Sequence, residues 1–426
     1  MKFKIITLGC KVNTYESNVM RDALINNGYV ETDDIADLYI INTCTVTNTS
    51  DNKSMKMIRS VRRQNMNAII LVCGCMAQVI GSYDNIDADI IIGNKYKGSI
   101  IPLIDEFKNS HKKIIKVTDI MNSEFESMIL NNFNKTRAFV KIEDGCENYC
   151  SYCIIPYARG KVRSKEPNLV IEEIKKLVND GHKEVVLTGI HTGHYGADLK
   201  DYTFAKLLKE IVSIDGLERL RISSIEITEL NEEVLEVIKN NKIIVSHLHV
   251  PLQSGSNEIL KSMNRKYDKE YFINKIEEIR NIRPEISITT DIIVGFPGET
   301  EELFNETLDT VNKIRFSKIH VFPFSLRKGT KAEELPNHLD EVTKKERVHK
   351  LMSISKQLEI EYMEKFIGKE LTFLPEVIKD GILMGHTENY LSIKCVGEES
   401  DLHKIINVKL EKIEYPNIIC SKVTNV

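Results

Sequence analysis

Over residues 1–120 short apolar runs alternate with longer stretches of helical periodicity. Phe3 to Leu8, Leu38 to Ile41, Ala68 to Cys73 and Ala88 to Ile92 predict strands, with helices from about Thr14 to Asn27, from about Ser50 to Gln64 and a shorter one after Met76. Strands separated by helices build an open parallel α/β sheet. From Met121 the pattern breaks into a polar run (Asn122, Ser123, Glu124, Asn131, Asn132, Asn134, Lys135), which reads as a linker over 121–136. Six apolar runs follow, Ala138 to Glu143, Glu184 to Thr188, Arg219 to Ser223, His247 to Val250, Ser287 to Val294 and Lys318 to Phe322. Helical stretches such as Asn168 to Asn179, Glu229 to Lys239, Lys269 to Ile282 and Glu301 to Ile314 separate them. This predicts a partial (β/α)6 barrel over 137–367, with its chemistry at the carboxyl ends of the strands. A charged helix from Asp340 to Phe366 leads out of it. Beyond Gly368 the runs Glu370 to Val377, Ile382 to His386, Tyr390 to Cys395, His403 to Leu410 and Ile418 to Val423 predict a small, OB-like β-barrel over 368–426, a class that often binds oligonucleotides.

The cysteines change this picture most. Nine of them in a chain without an evident export signal point to reduced thiols serving a metal or chemistry, hence to the cytoplasm. Cys10, Cys44 and Cys75 each follow a predicted strand at its carboxyl end. In an open parallel sheet those ends line one crevice, so three thiols distant in sequence converge, although one cysteine alone at such a place is usually just a buried residue. Cys73 falls within its strand and has no assigned role; Cys395 and Cys420 read as structural. Cys146, Cys150 and Cys153 form a C-x3-C-x2-C run, too tight to serve separate sites. A closed zinc site needs a fourth donor, and Ile154, Ile155 and Pro156 offer none. Three thiolates on a 4Fe-4S cluster would leave one iron open to a small molecule.

With 42% hydrophobic and 28% charged residues the composition is that of a globular protein, and no apolar run approaches the ~18 residues of a membrane span. A net charge of -4 and a pI near 6.3 do not mark a nucleic-acid binder, so any RNA contact needs local patches. Lys53, Lys56, Arg59, Arg62 and Arg63 on the second helix are one candidate; Arg159, Lys161, Arg163 and Lys165 beside the cysteine loop are a better placed one. The terminal barrel is not basic.

Four stretches carry a resemblance: Leu8 to Asn13, Asn42 to Thr47, Gly74 to Gln78 and Asp144 to Gly160. With His249 to Ser256 and Asp291 to Thr300 they resemble the methylthiotransferases of the radical S-adenosylmethionine enzymes over essentially the whole chain. The resemblance implies a methylthiotransferase amino-terminal domain, a radical S-adenosylmethionine barrel and a terminal TRAM domain. Cys10-Lys11-Val12-Asn13, Thr45-Val46-Thr47-Asn48 and Ile154 to Gly160 look like the branch that modifies N6-threonylcarbamoyladenosine beside the tRNA anticodon. The isopentenyladenosine branch would show Gln-Met-Asn after the first cysteine, and the branch acting on a ribosomal protein aspartate Pro-Lys-Asn.

By that resemblance a methylthio group is added to adenine carbon 2 through a 5′-deoxyadenosyl radical, with two 4Fe-4S clusters held by Cys10, Cys44, Cys75 and by Cys146, Cys150, Cys153. The cofactor S-adenosylmethionine would meet Tyr152 on the cysteine loop, Gly189 at the aminocarboxylate turn, Ser223, Ser224 and Glu226 near the ribose, and Gln253, Gly295 and Pro297 on the adenine side. Partners would be the tRNA anticodon stem-loop and an electron donor such as flavodoxin or ferredoxin, with no membrane. His191 and His194 take no role. The non-enzymatic alternative is an RNA-binding protein with zinc in both cysteine sets, which leaves the six-strand region unexplained.

Overall fold

The computed structural model describes residues 1–128, 130 and 133–423; Asn131 and Asn132 of the expected linker and the last three residues of the expected terminal barrel lie outside them. Six parallel strands open the chain: β1 (Lys2–Thr7), β2 (Val30–Glu31), β3 (Leu38–Thr43), β4 (Ile69–Gly74), β5 (Ile90–Ile92) and β6 (Ile114–Lys116), in the order β2-β1-β3-β4-β5-β6. The open parallel sheet is as expected, but β2 and β6 are additional. Both are short edge strands with a charged residue and exposed positions, so neither presents a buried apolar run to read. The central strands β3 and β4 are buried throughout, as strands covered on both faces by helices must be.

The linker is not slack. Met128, Leu130 and Phe133 sink into the main apolar core alongside Tyr15, and the Tyr15 hydroxyl donates to the Met128 carbonyl at 2.9 Å. Three apolar residues too widely spaced to show periodicity anchor this strap.

Next come β7 (Arg137–Lys141), a two-stranded ribbon of β8 (Glu143–Asp144) with β9 (Arg163–Ser164), and then β10 (Glu184–Thr188), β11 (Arg219–Ile222), β12 (His247–His249), β13 (Ser287–Val294) and β14 (Lys318–Pro323). They form two parallel sheets, β7-β10-β11 and β12-β13-β14, joined by single bridges from Leu220 to Ile244 and from Ser224 to His249. The result is one arc of six strands. Its convex side packs on helices through Leu220, Ile222, Leu248 and Ile288, leaving the alternating residues to face inward.

The helix Glu341–Glu364 crosses to a closed barrel of β15 (Glu370–Lys379), β16 (Ile382–Thr387), β17 (Ser392–Val396), β18 (Ile406–Glu414) and β19 (Asn417–Lys422). Two strands begin later than the apolar pattern suggests. Tyr390 (φ 68°) and His403 (φ 64°) adopt left-handed backbone, which ends pairing and makes each part of a turn. Cys395 and Cys420 are buried in this barrel's core, as expected. Among the described residues no helix is long and apolar enough to cross a membrane.

Local signals set the helix that follows β3. Thr47 accepts a hydrogen bond from the Ser50 amide and caps the helix Asn48–Gln64. Thr47→Ala is therefore expected to lower stability by about 1 kcal/mol, read as a shift of the urea midpoint at constant slope.

Candidate functional site

Cys10, Cys44 and Cys75 meet at the carboxyl edge of the first sheet. Cys10 precedes the helix Lys11–Asn26, Cys44 follows β3, and Cys75 opens the helix Cys75–Val79. Gly9 (φ +102°) makes this approach feasible, since a Cβ there would stand 2.8 Å from the Cys44 Cβ and 2.9 Å from its Sγ. Asn13 ties the two edges by donating to the carbonyls of Leu8 (2.7 Å) and Thr43 (3.0 Å). At Cys75 the sulfur accepts from Arg159 Nε at 3.2 Å and from Asn94 Nδ2 at 3.5 Å. Cys73 points instead into the apolar core, where burial, opposed by Lys97, pushes its thiol up to about 12. Packed among these apolar side chains, Cys73 reads as a core residue.

The Cys146–Cys153 loop follows β8 and is fixed by backbone. Gly145 (φ +101°) brings the chain against the Lys161 carbonyl, 1.8 Å from where a Cβ would be, and the Cys146 amide donates to the Gly160 carbonyl at 3.0 Å. Asn264 donates to the Tyr149 carbonyl at 2.9 Å, and the Ser151 amide to the Met263 carbonyl at 3.0 Å. Arg265 Nη1 donates to the Cys150 sulfur at 3.1 Å while its other terminal nitrogen pairs with Glu226. The two thiol sets are thus alike: in each, one sulfur faces a buried guanidinium, which complements any anionic body the sulfurs would hold.

Among the described residues the groups whose ligating atoms all lie within 4.8 Å of one another are His191–His194–Glu229 and His249–Asp291–His320; neither cysteine set is among them. One zinc ion with bonds of about 2.3 Å to sulfur needs sulfurs that close, so each set fits a wider body such as an iron-sulfur cluster better than a single ion.

The expected cofactor residues divide into two groups. Gly189, Ser223, Ser224 and Glu226 lie past the ends of β10 and β11, on the side of the cysteine loop. A Cβ at Gly189 would crowd Glu143, standing 2.7 Å from its Oε2 and 3.2 Å from its Cβ; burial, opposed by the His191 amide, holds the Glu143 carboxyl well above its usual range. Ser223 shares a hydrogen bond with Thr192 at 3.2 Å, and the carboxylate of Glu226 is engaged by Arg265. The second group contributes backbone and packing. Gln253 (φ 67°) bridges to Ile292 through its main chain. The Gly295 amide donates to Glu299 at 2.6 Å, and the space a Cβ would take there belongs to Lys344. Pro297 is buried, and its neighbour Phe296 is the residue that touches the cysteine loop, its ring 6.5 Å from that of Tyr152.

The basic strip beside the loop is a correction. Arg159 and Lys165 are fully buried and Arg163 nearly so, paired with Glu16, Asp144 and Glu173, so only Lys161 is exposed to meet a phosphate. The strip is interior because β9 pairs with β8 and turns its side chains under the loop. On the helix after Cys44, Lys53, Lys56, Arg59 and Arg63 are exposed, while Arg62 is held by Asp87 and Asp89.

Sequence patterns missed the ion cluster between the two thiol sets. Glu16, fully buried, pairs with Lys97, with Lys141 (2.8 Å) and with Arg159 (2.5 Å), and Lys141 also pairs with Asp144 (2.7 Å). Arg159 thereby reaches from the loop of one thiol set to a sulfur of the other. Arg265 was missed for a different reason: it lies 115 positions beyond Cys150 with no local motif. His191, without a role in the sequence, stacks on His194 at 4.0 Å, pairs with Glu229 and brings Nδ1 within 3.7 Å of the Cys146 sulfur.

Residues 140–311 match the model of the Radical SAM superfamily, and residues 2–93 that of the Uncharacterized protein family UPF0004. The chain is 44% identical to the threonylcarbamoyladenosine tRNA methylthiotransferase MtaB of Bacillus subtilis, over 96% of this chain and 94% of the relative. It is 39% identical to the enzyme of the same name from Thermotoga maritima, over 95% and 94%. The tRNA-2-methylthio-N(6)-dimethylallyladenosine synthase of Clostridium botulinum is 35% identical over 96% and 94%. Among solved structures, the radical S-adenosylmethionine methyltransferase TsrM of Kitasatospora setae, with cobalamin and a [4Fe-4S] cluster bound, superposes with a TM-score of 0.57 at 15% identity, covering 90% of this chain and 80% of that one. That likeness concerns the fold alone.

Proposed function

This chain belongs to the tRNA methylthiotransferase family of radical S-adenosylmethionine enzymes, and from that premise we propose how its residues divide the work. It is an enzyme that adds a methylthio group to N6-threonylcarbamoyladenosine of tRNA. Cys146, Cys150 and Cys153 would hold one 4Fe-4S cluster and Cys10, Cys44 and Cys75 a second. The observation that carries this division is the matched pair of thiol sets, each following a strand's carboxyl end and each with a guanidinium donating to one sulfur.

Bound there, the clusters and S-adenosylmethionine supply the electron, the radical and the methylthio group needed to replace an adenine carbon 2 hydrogen that acid or base cannot remove. The chain's own residues orient and insulate. Gly189 opens the turn beside Glu143, whose raised carboxyl and unpartnered Oε1 offer a donor there to an aminocarboxylate, while Arg265 holds Glu226 and Cys150 in one register. Ser223 and Ser224 would meet the ribose; Tyr152, Gln253, Gly295 and Pro297 would frame the adenine side. Residues 1–120 then form the methylthiotransferase domain, 121–136 its connector, 137–367 a partial (β/α)6 radical barrel and 368–426 a TRAM domain. The exposed cations of the helix Asn48–Gln64 would meet tRNA phosphates. An anticodon loop presents its bases unstacked enough for one to enter a recessed site.

The test is mass analysis of tRNA nucleosides from cells lacking the chain. The methylthio mass is expected to vanish from N6-threonylcarbamoyladenosine and persist on isopentenyladenosine; the opposite loss would move the enzyme to the other tRNA branch.

A further inference from the structure

The inner wall of the strand arc is polar along β11 and β12. Arg219 and Arg221 of β11, Ser223 just past its end, and His247 and His249 of β12 face inward, because Leu220, Ile222 and Leu248 between them belong to the apolar core. Ser223 lies at the cysteine end. Arg221 sits two residues deeper, a step of about 7 Å at ~3.3 Å per residue. Below it the arc is closed by the turn between β16 and β17 of the terminal barrel, which inserts Tyr390.

The Tyr390 ring stacks on His247 with centroids 4.7 Å apart and on His386 at 4.5 Å. Arg221 and Arg137 lie 4.8 Å and 5.4 Å from its centroid, and Arg137 Nη1 donates to its hydroxyl at 3.4 Å. Most of the remaining donors are occupied. Arg137 pairs with Glu376 at 3.1 Å, and Arg221 Nε with Glu184 at 2.7 Å, a carboxylate shared with Arg219. Two buried side-chain nitrogens there have no partner among the described residues. Arg221, 2% exposed, has no partner at Nη1, and His247, 5% exposed, has none at Nδ1. Lys11, next to Cys10, makes no hydrogen bond or ion pair among the described residues, and its electrostatic neighbours are Tyr390, Arg137 and Arg221. Four cations (Lys11, Arg137, Arg219, Arg221) thus face three carboxylates (Glu184, Glu376, Glu388), a surplus of one. The phenol senses it: burial pushes Tyr390 up, yet Arg137, Lys11 and Arg221 together bring it below its ordinary value.

A surplus cation, the exposed Lys11, beside a buried guanidinium with an open donor calls for one anion. We propose that this floor, Arg221 and Arg137 with His247, Tyr390 and Lys11, binds the free carboxylate of the threonylcarbamoyl arm. The inference rests on the function proposed above and adds the residues that select its substrate. An adenine with carbon 2 at the cysteine end would extend its N6 arm down the arc by about the depth of that step. An isopentenyl arm carries no charge and would leave the floor cation unpaired, so the site rejects it. Tyr390 also gives the terminal barrel a part in substrate choice that needs no basic surface.

The experiment measures binding of fluorescent anticodon stem-loops to the reconstituted full-length protein. One stem-loop carries N6-threonylcarbamoyladenosine and the other its neutral carboxamide. The wild type is expected to bind the acid about tenfold or more tightly than the amide. Arg221→Gln and Lys11→Gln should each shrink that ratio toward one. Lys11 is exposed and unpaired, so its variant keeps the test valid even where loss of Arg221 disturbs Glu184. Equal wild-type affinity for acid and amide, or equal losses for both stem-loops in both variants, would overturn the floor site. If the acid stem-loop is still methylthiolated in that event, the function stands without it; if it is not methylthiolated at all, the function itself fails.

Discussion

Glu16→Gln is expected to lower the stability of the folded protein by about 3–5 kcal/mol at neutral pH, because it removes one partner of a buried ion cluster rather than the whole cluster. Glu16 is fully buried against Lys97, Lys141 and Arg159. Neutralising it leaves three buried cations with Asp144 and Glu126 as acidic neighbours, Asp144 itself held down to about 2 against burial by Lys141, Arg159 and Arg163. The pH dependence has a definite sign. Burial pushes the Glu16 carboxyl up, but Arg159, Lys141 and Lys97 outweigh it and hold the group well below the usual carboxylate range. A group whose folded pKa is depressed contributes stability above its unfolded value of about 4.3 and loses that contribution as pH falls through the folded value. Urea titrations of wild type and variant should therefore differ most above pH 5 and converge in strong acid. A difference below about 1 kcal/mol at pH 7 would mean that the cations find other partners.

Replacing Cys10, Cys44 and Cys75 together by alanine is expected to abolish methylthiolation and to reduce bound iron from about eight to about four per chain. The same variant should still cleave S-adenosylmethionine to 5′-deoxyadenosine, since Cys146, Cys150 and Cys153 remain. Iron, labile sulfide and nucleoside products measured on one anaerobic preparation separate these outcomes. About four irons in both proteins would leave the first thiol set without a cluster, and loss of all iron in the variant would mean that Arg159 no longer holds the second loop.

How much of this was legible beforehand follows the physics of each feature. Buried parallel strands such as β3 and β4 are uninterrupted apolar runs, so they and the thiols at their ends could be placed from sequence. Edge strands β2 and β6 carry no such run. Turn residues in left-handed backbone, Tyr390 and His403, look like strand residues because Tyr and His give no turn signal. The ion cluster was illegible for a further reason: Glu16, Lys97, Lys141 and Arg159 read as surface charges one at a time, and only the packing of the first sheet against the arc makes them interior. For that same reason the run from Arg159 to Lys165 was mistaken for an RNA-facing strip. The floor around Tyr390 combines residues from all three regions, and no local pattern reports such a meeting.

Arg159 also bears on how the two halves of the molecule can change over evolutionary time. Glu16 and Lys97 belong to helical segments flanking the first sheet, Lys141 to the arc and Asp144 and Arg159 to the segments on either side of the cysteine loop, and a sulfur of the first thiol set leans on the last of these. Recombination that exchanged amino-terminal domains between relatives would succeed only where both parents kept matching charges on either side of the junction. The amino-terminal domain is therefore inherited as one half of a lock, and its history should run in parallel with that of the residues between β7 and β9.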